Sequence, residues 1–301
     1  MVNIDTKRSF KKVGTHDGRF HADEVMATAI LDKLFELEVV RTRDTRKLGA
    51  LDIVYDVGGG EFDHHGVEKI YRESGTPYAA CGLIWNHFGR NVIHTEDSSL
   101  TMEEVESVFD YVDRFLIEGI DAHDNGLKVV DEIIPSMNIS AIISGFNPPW
   151  YAEEKEEEAF YEAVEVGKAV LQNTMSRKIA ILKAKDKIIQ SYENRDRSEF
   201  LVLDTFCPWE EALQEIDEEG EVVFIIYPDK GRYSMQTVRG RDGKTRKNLP
   251  KSWAGKENEE LSAITGVDDA IFCHTGRFIA VAGSFEGIQK LAEIAIDYHE
   301  D

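Results

Sequence analysis

Apolar side chains at Val25, Met26, Ala29, Ile30, Leu34 and Leu37 recur at the spacing of one helix face and predict a helix over 23–37. A short segment, 12–15, leads into the glycine-containing loop before it, and VVRTR (39–43) follows as a strand. LDIVYDV (51–57) is a nearly continuous apolar run, the pattern of a strand buried on both faces of a parallel sheet. Strand, helix and strand in this order imply a doubly wound sheet, whose ligands sit beyond the carboxyl ends of the strands. His16 and Asp56 both fall at such ends.

Helical patterns recur around 76–89 and 101–118, before a short polar run, DAHDNG, at 121–126. GFNPPW (145–150) breaks regular structure, because Pro148 and Pro149 cannot continue it. A charged helical stretch then runs from 151 to about 190. Beyond it, strands are expected at 199–206, 221–228, 233–240 and as a pair within 270–283. A last helix, 285–298, has apolar positions at Ile288, Leu291, Ile294 and Ala295. The expected fold class is α/β: a doubly wound, mainly parallel sheet domain (1–150), a helical linker (151–195) and a second, smaller α/β domain (196–301).

Composition changes this picture little. Of 301 residues, 42% are hydrophobic and 31% charged, a globular balance. No apolar run is long enough to span a bilayer, and no apolar stretch backs the basic N-terminus, so the expectation is a cytoplasmic protein without a membrane partner. Cys81, Cys207 and Cys273 are odd in number and widely spaced, which suggests neither disulfides nor a structural zinc site. The net charge of −22 argues against a polyanionic partner, yet much of it is local, in 153–158 and 217–221. Bound divalent metals would reverse the field where chemistry occurs.

The chemistry is concentrated early. Four of the nine histidines lie between 16 and 65, each beside Asp and Gly. GTHDGRFHADE groups His16, Asp17, His21 and Asp23, and IVYDVGGGEFDHHG groups Asp56, Asp63, His64 and His65. Imidazole with carboxylate is a ligand set for first-row transition metals, and its oxygen share favours manganese. Two such ions sharing one carboxylate can activate water and clamp the oxygens of a phosphoryl displacement.

FDHHG, with a preceding strand-end Asp and an upstream His-x-Asp, resembles the DHH phosphoesterase superfamily. More closely, the chain resembles the Myg family, melanocyte-proliferating-gene-like exonucleases acting on RNA. THDGRFHADE, YDVGGGEFDHHG, DAHDNG, FNPPW, FCPWEE, IIYPD, LPKSWAG and FCHTGRFIA carry that resemblance across nearly the whole chain. It implies two divalent metal ions, one held by His16, His21 and Asp56 and the other by Asp23, Asp56 and His64. By the same resemblance His65 contacts the scissile phosphate, and Asp63 orients a neighbouring imidazole or serves the turn. A further carboxylate comes from DAHDNG, as Asp121 or Asp124, with Asp121 preferred because it follows an apolar stretch. Most superfamily members have Asp where this chain has His21, and imidazole tolerates zinc or cobalt more readily than a carboxylate does, so manganese is expected with magnesium, cobalt or zinc as alternatives.

In the second domain, 230–251 carries eight basic residues against Asp242 alone. Arg239, Arg241, Lys244, Arg246 and Lys247 are candidate phosphate contacts, or a solvated hairpin tip. His274, Gly276 and Arg277 form a turn suited to an anion and look like the family's substrate-gripping loop. Trp150, Trp209 and Trp253 could stack bases, but aromatic residues in breaker motifs more often pack.

The expectation is a two-metal phosphodiester hydrolase acting on RNA or oligonucleotides, with 3′-to-5′ polarity implied by the resemblance alone. Hydrolysis of pyrophosphate, a cyclic dinucleotide or another small phosphate ester is the alternative. A non-catalytic metal- or nucleotide-binding protein is a third. Homodimerisation is left open.

Overall fold

The structure is a computed structural model that describes residues 9–127, 137–152 and 155–299. Residues 1–8 of the basic N-terminus, and Glu153 and Glu154 of the acidic run, lie outside the described residues. The chain forms two units, Met1–Ile179 and Ala180–Asp301. The domain borders expected at 150 and 195 fall on either side of that division. No helix among the described residues is long and apolar enough to cross a membrane.

The first unit contains β1 (Phe10–Thr15), α1 (Ala22–Asp32), β2 (Glu36–Arg41), α2 (Thr45–Leu48) and β3 (Ile53–Val54). After them come α3 (Ala80–Glu96), α4 (Met102–Val112), a π-helical turn (Asp113–Ile117), α5 (Glu118–Asp124) and α6 (Ile139–Ser144). The three strands pair in parallel in the order β2-β1-β3, the opening order of a doubly wound sheet. Helix α1 is buried nearly all round, Val25, Met26, Ala27, Ala29, Ile30 and Leu31 forming its apolar body and Asp23 and Glu24 its buried first turn, as befits a helix at the centre of a domain.

Two expectations are corrected here. The helix predicted over 23–37 ends at Asp32, because ELEVVR also alternates with period two and is taken into the sheet, Val39 pairing with Val13. The strand predicted over 51–57 shrinks to Ile53–Val54, and Asp56 leaves it with φ of +58°. That left-handed conformation is uncommon for a side-chain-bearing residue, though Asp and Asn tolerate it best, and it turns the carboxylate away from the strand direction.

DAHDNG is not a loop but the end of α5, so Asp121 and Asp124 stand on a helix. The helix is tied to segment 74–76 through Glu118. Its buried carboxylate accepts hydrogen bonds from Ser74 Oγ (2.5 Å), Thr76 Oγ1 (2.7 Å) and Arg114 Nη1 (2.5 Å). Burial alone would raise its pKa, but these donors overcome burial and bring it down to about 2 from an ordinary 4.5. A lowered carboxylate pKa stabilises the fold above pH 4.5, and this contribution is lost as pH falls towards 2. Glu118→Gln is therefore expected to flatten that part of the acid-denaturation profile. An unchanged slope of stability against pH between those limits would contradict it.

Helix α7 (Glu156–Glu193) is long and charged, as expected, and the division at 179/180 falls within it. The second unit continues with β4 (Phe200–Val202), α8 (Glu210–Ile216), β5 (Phe224–Asp229) and β6 (Arg232–Thr237). It ends with α9 (Asn258–Thr265), β7 (Ala270–Cys273), β8 (Ile279–Ala282) and α10 (Phe285–Asp297). Its sheet runs β4-β5-β6-β8-β7, parallel only between β4 and β5. Strand β5 is apolar on both faces. Phe224 and Ile226 join the core of Met235, Trp253 and Leu291, while Ile225 and Tyr227 join that of Leu201, Trp209 and Leu213.

Candidate metal centre

His16 is the first residue after β1, Asp56 the second after β3, and both point into one cluster beyond the carboxyl edge of the parallel sheet. His16 Nδ1 donates to the Asp17 carbonyl (3.0 Å), which leaves Nε2 for the cluster. That nitrogen lies 3.0 Å from Glu24 Oε1 and 3.2 Å from Asp56 Oδ2. The other oxygen of Asp56, Oδ1, lies 3.1 Å from His64 Nε2. His64 Nε2 is also 3.2 Å from Asp124 Oδ2 and 3.8 Å from Asp23 Oδ2. One carboxylate thus stands between two imidazoles, giving one oxygen to each.

The N-terminus of α3 shapes the inner wall. Asp23 accepts from the backbone N–H groups of Ala80 (3.0 Å) and Cys81 (2.7 Å), and Asp121 from that of Gly82 (3.1 Å). A Cβ at Gly82 would stand 1.9 Å from Asp121 Oδ2, so only glycine lets the helix approach this closely. Asp121 is wholly buried, and its Oδ2 is 2.7 Å from Arg72 Nη1. Arg72 also forks onto Asp113 through Nε (2.8 Å) and Nη2 (2.7 Å).

The electrostatics follow from this placement. Burial, with Asp56, Asp124 and Asp121 close by, pushes the Asp23 carboxyl well above the usual range. Burial opposes ionisation of Asp56 too, but His16 and His64 overcome it and bring its pKa down to about 2. For His16, burial disfavours the cation, yet Asp56 and Glu24 prevail and raise the imidazole to about 10. Among the described residues no Lys or Arg pairs with Asp23, Asp56 or Asp124. The cluster holds more buried carboxylate than its imidazoles neutralise, and its donors are nitrogen and oxygen apart from the Cys81 thiol, which lies with Asp23 and Asp121. Divalent cations fit such a set.

The sequence-predicted residues divide accordingly. His16, Asp23, Asp56 and His64 come together, and His21 lies beside His16 and Glu24, its ligand nitrogen within 4.8 Å of theirs. His65 is 64% exposed at the rim, its Nδ1 2.8 Å from Asp63 Oδ1, while Asp63 also accepts from the Gly59 N–H. The geometry places both carboxylates of DAHDNG near Asp23 but in different company. Asp124 faces His64, whereas Asp121 is held by Arg72, Gly82 and Cys81. Glu24 was missed, although it directly follows Asp23. Arg43 and His123, which line the cavity of about 360 Å³ at the centre, were missed as well. A larger cavity of about 430 Å³ in the second unit, lined by Lys187, Gln190, Asn194, Arg195 and Asp204 among others, contains no comparable ligand set. The chemistry, not the volume, marks the site.

The basic run of the second unit is less free than its composition suggests. Arg246 is taken up by Asp217 and by the Val222 carbonyl (2.8 Å), and Lys247 Nζ donates to the Tyr298 carbonyl (2.8 Å). Arg241 Nη2 donates to the Gln214 carbonyl (2.9 Å), yet Arg241 remains exposed, as do Arg239 and Lys244. In the 274–277 turn, His274 Nδ1 accepts the Gly276 N–H (2.9 Å) and Arg277 Nη1 donates to the Leu249 carbonyl (3.2 Å). Arg246, Lys247 and Arg277, expected as candidate phosphate contacts, each hold a partner within this unit.

The MYG1_exonuc family, described as an uncharacterised protein family (UPF0160), matches residues 12–296. The MYG1 protein of Schizosaccharomyces pombe is 30% identical, over 96% of this chain and 98% of its own length. That of Saccharomyces cerevisiae is 31% identical, over 98% of each chain. The MYG1 exonuclease of Rattus norvegicus is 30% identical, over 95% of this chain and 84% of its own. Among solved structures, RecJ from Thermus thermophilus in complex with Mg2+ covers 96% of this chain and 50% of its own, at 12% identity and a TM-score of 0.29. With the match running nearly end to end, this chain is a member of the MYG1_exonuc family.

Proposed function

We propose that this chain is a metal-dependent nuclease that shortens RNA or oligoribonucleotides from the 3′ end. The observation that carries it is the Asp56 carboxylate, with one oxygen toward His16 and the other toward His64 (3.2 and 3.1 Å). The relatives named MYG1 exonuclease support the same reading. His16, Asp56, His21 and Glu24 would hold one divalent cation, and Asp23, Asp56, His64 and Asp124 a second, with manganese favoured by the oxygen share. When bound, the pair would supply Lewis-acid charge and a more acidic water at the phosphodiester.

The chain's own groups do the rest. Gly59 and His65 overcome the effect of burial and hold the Asp63 carboxyl below its ordinary value, so that it accepts from His65 Nδ1. That bond fixes the ring and leaves Nε2 for a phosphate oxygen on which charge develops. The Asp17 carbonyl fixes His16 in the same manner.

The test is an assay on end-labelled RNA and DNA with Mg2+, Mn2+, Co2+ and Zn2+ in turn. Stepwise shortening of RNA from its 3′ end is expected. Turnover of pyrophosphate or a cyclic dinucleotide, with both strands intact under every cation, would replace the reading by a small-phosphate hydrolase. Tight metal binding without hydrolysis of any phosphoester would leave a binding protein.

A further inference from the structure

Beside the metal centre, segment 145–151 (GFNPPWY) is clamped to the loop that carries His21. The Phe20 N–H donates to Asn147 Oδ1 (2.9 Å), and Asn147 Nδ2 donates to the Phe20 carbonyl (2.8 Å). Both backbone groups of the residue before His21 are thereby held by one amide side chain. Pro148 and Pro149 stiffen the step that follows. Three residues span at most about 11 Å, so the Trp150 Cα lies no farther than that from the Cα of Asn147.

Trp150 is 94% exposed and Tyr151 75%, with their rings edge-on at 5.7 Å between centroids. The other three tryptophans, Trp85, Trp209 and Trp253, are all buried. A core role is thus excluded for Trp150 within this fold. A water-exposed pair of large aromatic rings, three and four residues beyond a side chain clamped to the loop that carries His21, is a feature that binding would explain.

Two arginines stand at the cavity of the metal centre. Arg19 Nη2 donates to Ser144 Oγ (3.3 Å), and Ser144 lines the cavity. Arg43 lines it too and is 63% exposed, with Asp17 at 3.5 Å as its carboxylate neighbour. Cations followed by unstacked aromatic rings match a strand of alternating phosphates and free bases. Free phosphate or pyrophosphate offers no base to the rings, and a duplex keeps its bases stacked inside.

We propose that Trp150 and Tyr151 form a base-stacking platform for a single-stranded oligonucleotide, with Arg19 and Arg43 on the phosphates between the platform and the metal centre. The platform lies wholly in the first unit, and it rests on the nuclease reading for its substrate. A second copy of the chain is the weaker occupant, because two copies that each carry a net charge of −22 repel one another.

The full chain is titrated, with Ca2+ present to limit hydrolysis, with an oligouridylate pentanucleotide and with an abasic strand of the same length. Binding is read from tryptophan emission and from anisotropy of a labelled strand. Wild type is expected to prefer the base-bearing strand by about tenfold, with quenching of the exposed tryptophan. Trp150→Ala is expected to abolish that preference and the quenching while binding the abasic strand as before, and Trp150→Phe to keep most of the preference. Equal affinities for the two strands in wild type, failure of wild type to bind either, or a preference that survives Trp150→Ala would each overturn the platform. So would a self-association that Trp150→Ala abolishes without altering strand binding. Hydrolysis with Mn2+ is scored in parallel. A wild type that binds and quenches but cleaves nothing retires the nuclease reading and keeps the platform. One that cleaves while Trp150→Ala changes nothing retires the platform alone.

Discussion

Asp56→Asn is expected to lower metal-dependent hydrolysis by more than a hundredfold and to leave the chain folded. Losing a group that merely supports a metal ligand costs about 10–100-fold, and in the proposed centre Asp56 would serve both ions. The substitution suits the backbone, because φ at this position is +58° and Asn tolerates the left-handed region as Asp does. It removes the charge that lies against both His16 and His64. A second readout does not depend on the substrate. Metal that binds only the folded chain raises its stability by about 2.7 kcal/mol at a hundred times its dissociation constant, so wild type should melt at higher temperature with Mn2+ than with EDTA. Asp56→Asn should lose most of that increment. Full activity in the variant, or an undiminished Mn2+ effect on melting, would remove Asp56 from the centre.

Arg72→Met is expected to be the most destabilising single change near the site, by about 3–5 kcal/mol, the cost of leaving a buried charge without its partner. Arg72 is itself buried, stacks over Tyr78 at 4.0 Å, and is the cation for Asp113 and Asp121 together. Burial keeps the pKa of Asp121 at about 6 even with that cation beside it. At about 2–4 °C per kcal/mol for a unit of this size, melting should fall by about 6–20 °C. Arg72→Met combined with Asp121→Asn should lose less than Arg72→Met alone, because the uncharged amide still accepts the Gly82 N–H. If single and double variants melt together, the uncompensated charge is not the source of the loss.

The two pairings explain which parts of the centre could be read in advance. His16 and Asp56 were legible because a parallel sheet presents its carboxyl ends to ligands, and the strand–helix–strand pattern placed both residues there. His64, paired with His65 beside Asp63, stood out from the local motif FDHHG and the resemblance it carries. Glu24 was hidden by its neighbour. It is adjacent to Asp23 in sequence, and only the turn of α1 shows that both carboxylates reach the cluster, Glu24 to His16 and Asp23 to His64. Asp121 and Asp124 are three apart on one helix, and such neighbours share a face, so spacing could not separate them. Only the fold shows that Arg72, 49 positions away, pairs with Asp121 while Asp124 faces His64.

The basic run in the second unit teaches the converse. Counting charges in 230–251 treated every Lys and Arg as unpartnered, whereas Arg246 pairs with Asp217 and Lys247 donates to the Tyr298 carbonyl. Trp150 reversed in the opposite sense. Its breaker motif suggested packing, and the fold leaves it in water.

The amino-acid sequence by itself determined the α/β class, the two clusters of imidazole and carboxylate and the ends of the sheet at which they stand, because periodicity and local chemistry are properties of neighbours along the chain. Only the tertiary structure decided which carboxylate faces the ligands, which cations are free and which aromatic rings meet solvent. Those depend on partners tens to more than a hundred residues away, as Phe20 and Asn147 are, and a pairing at that distance is fixed by packing rather than by spacing.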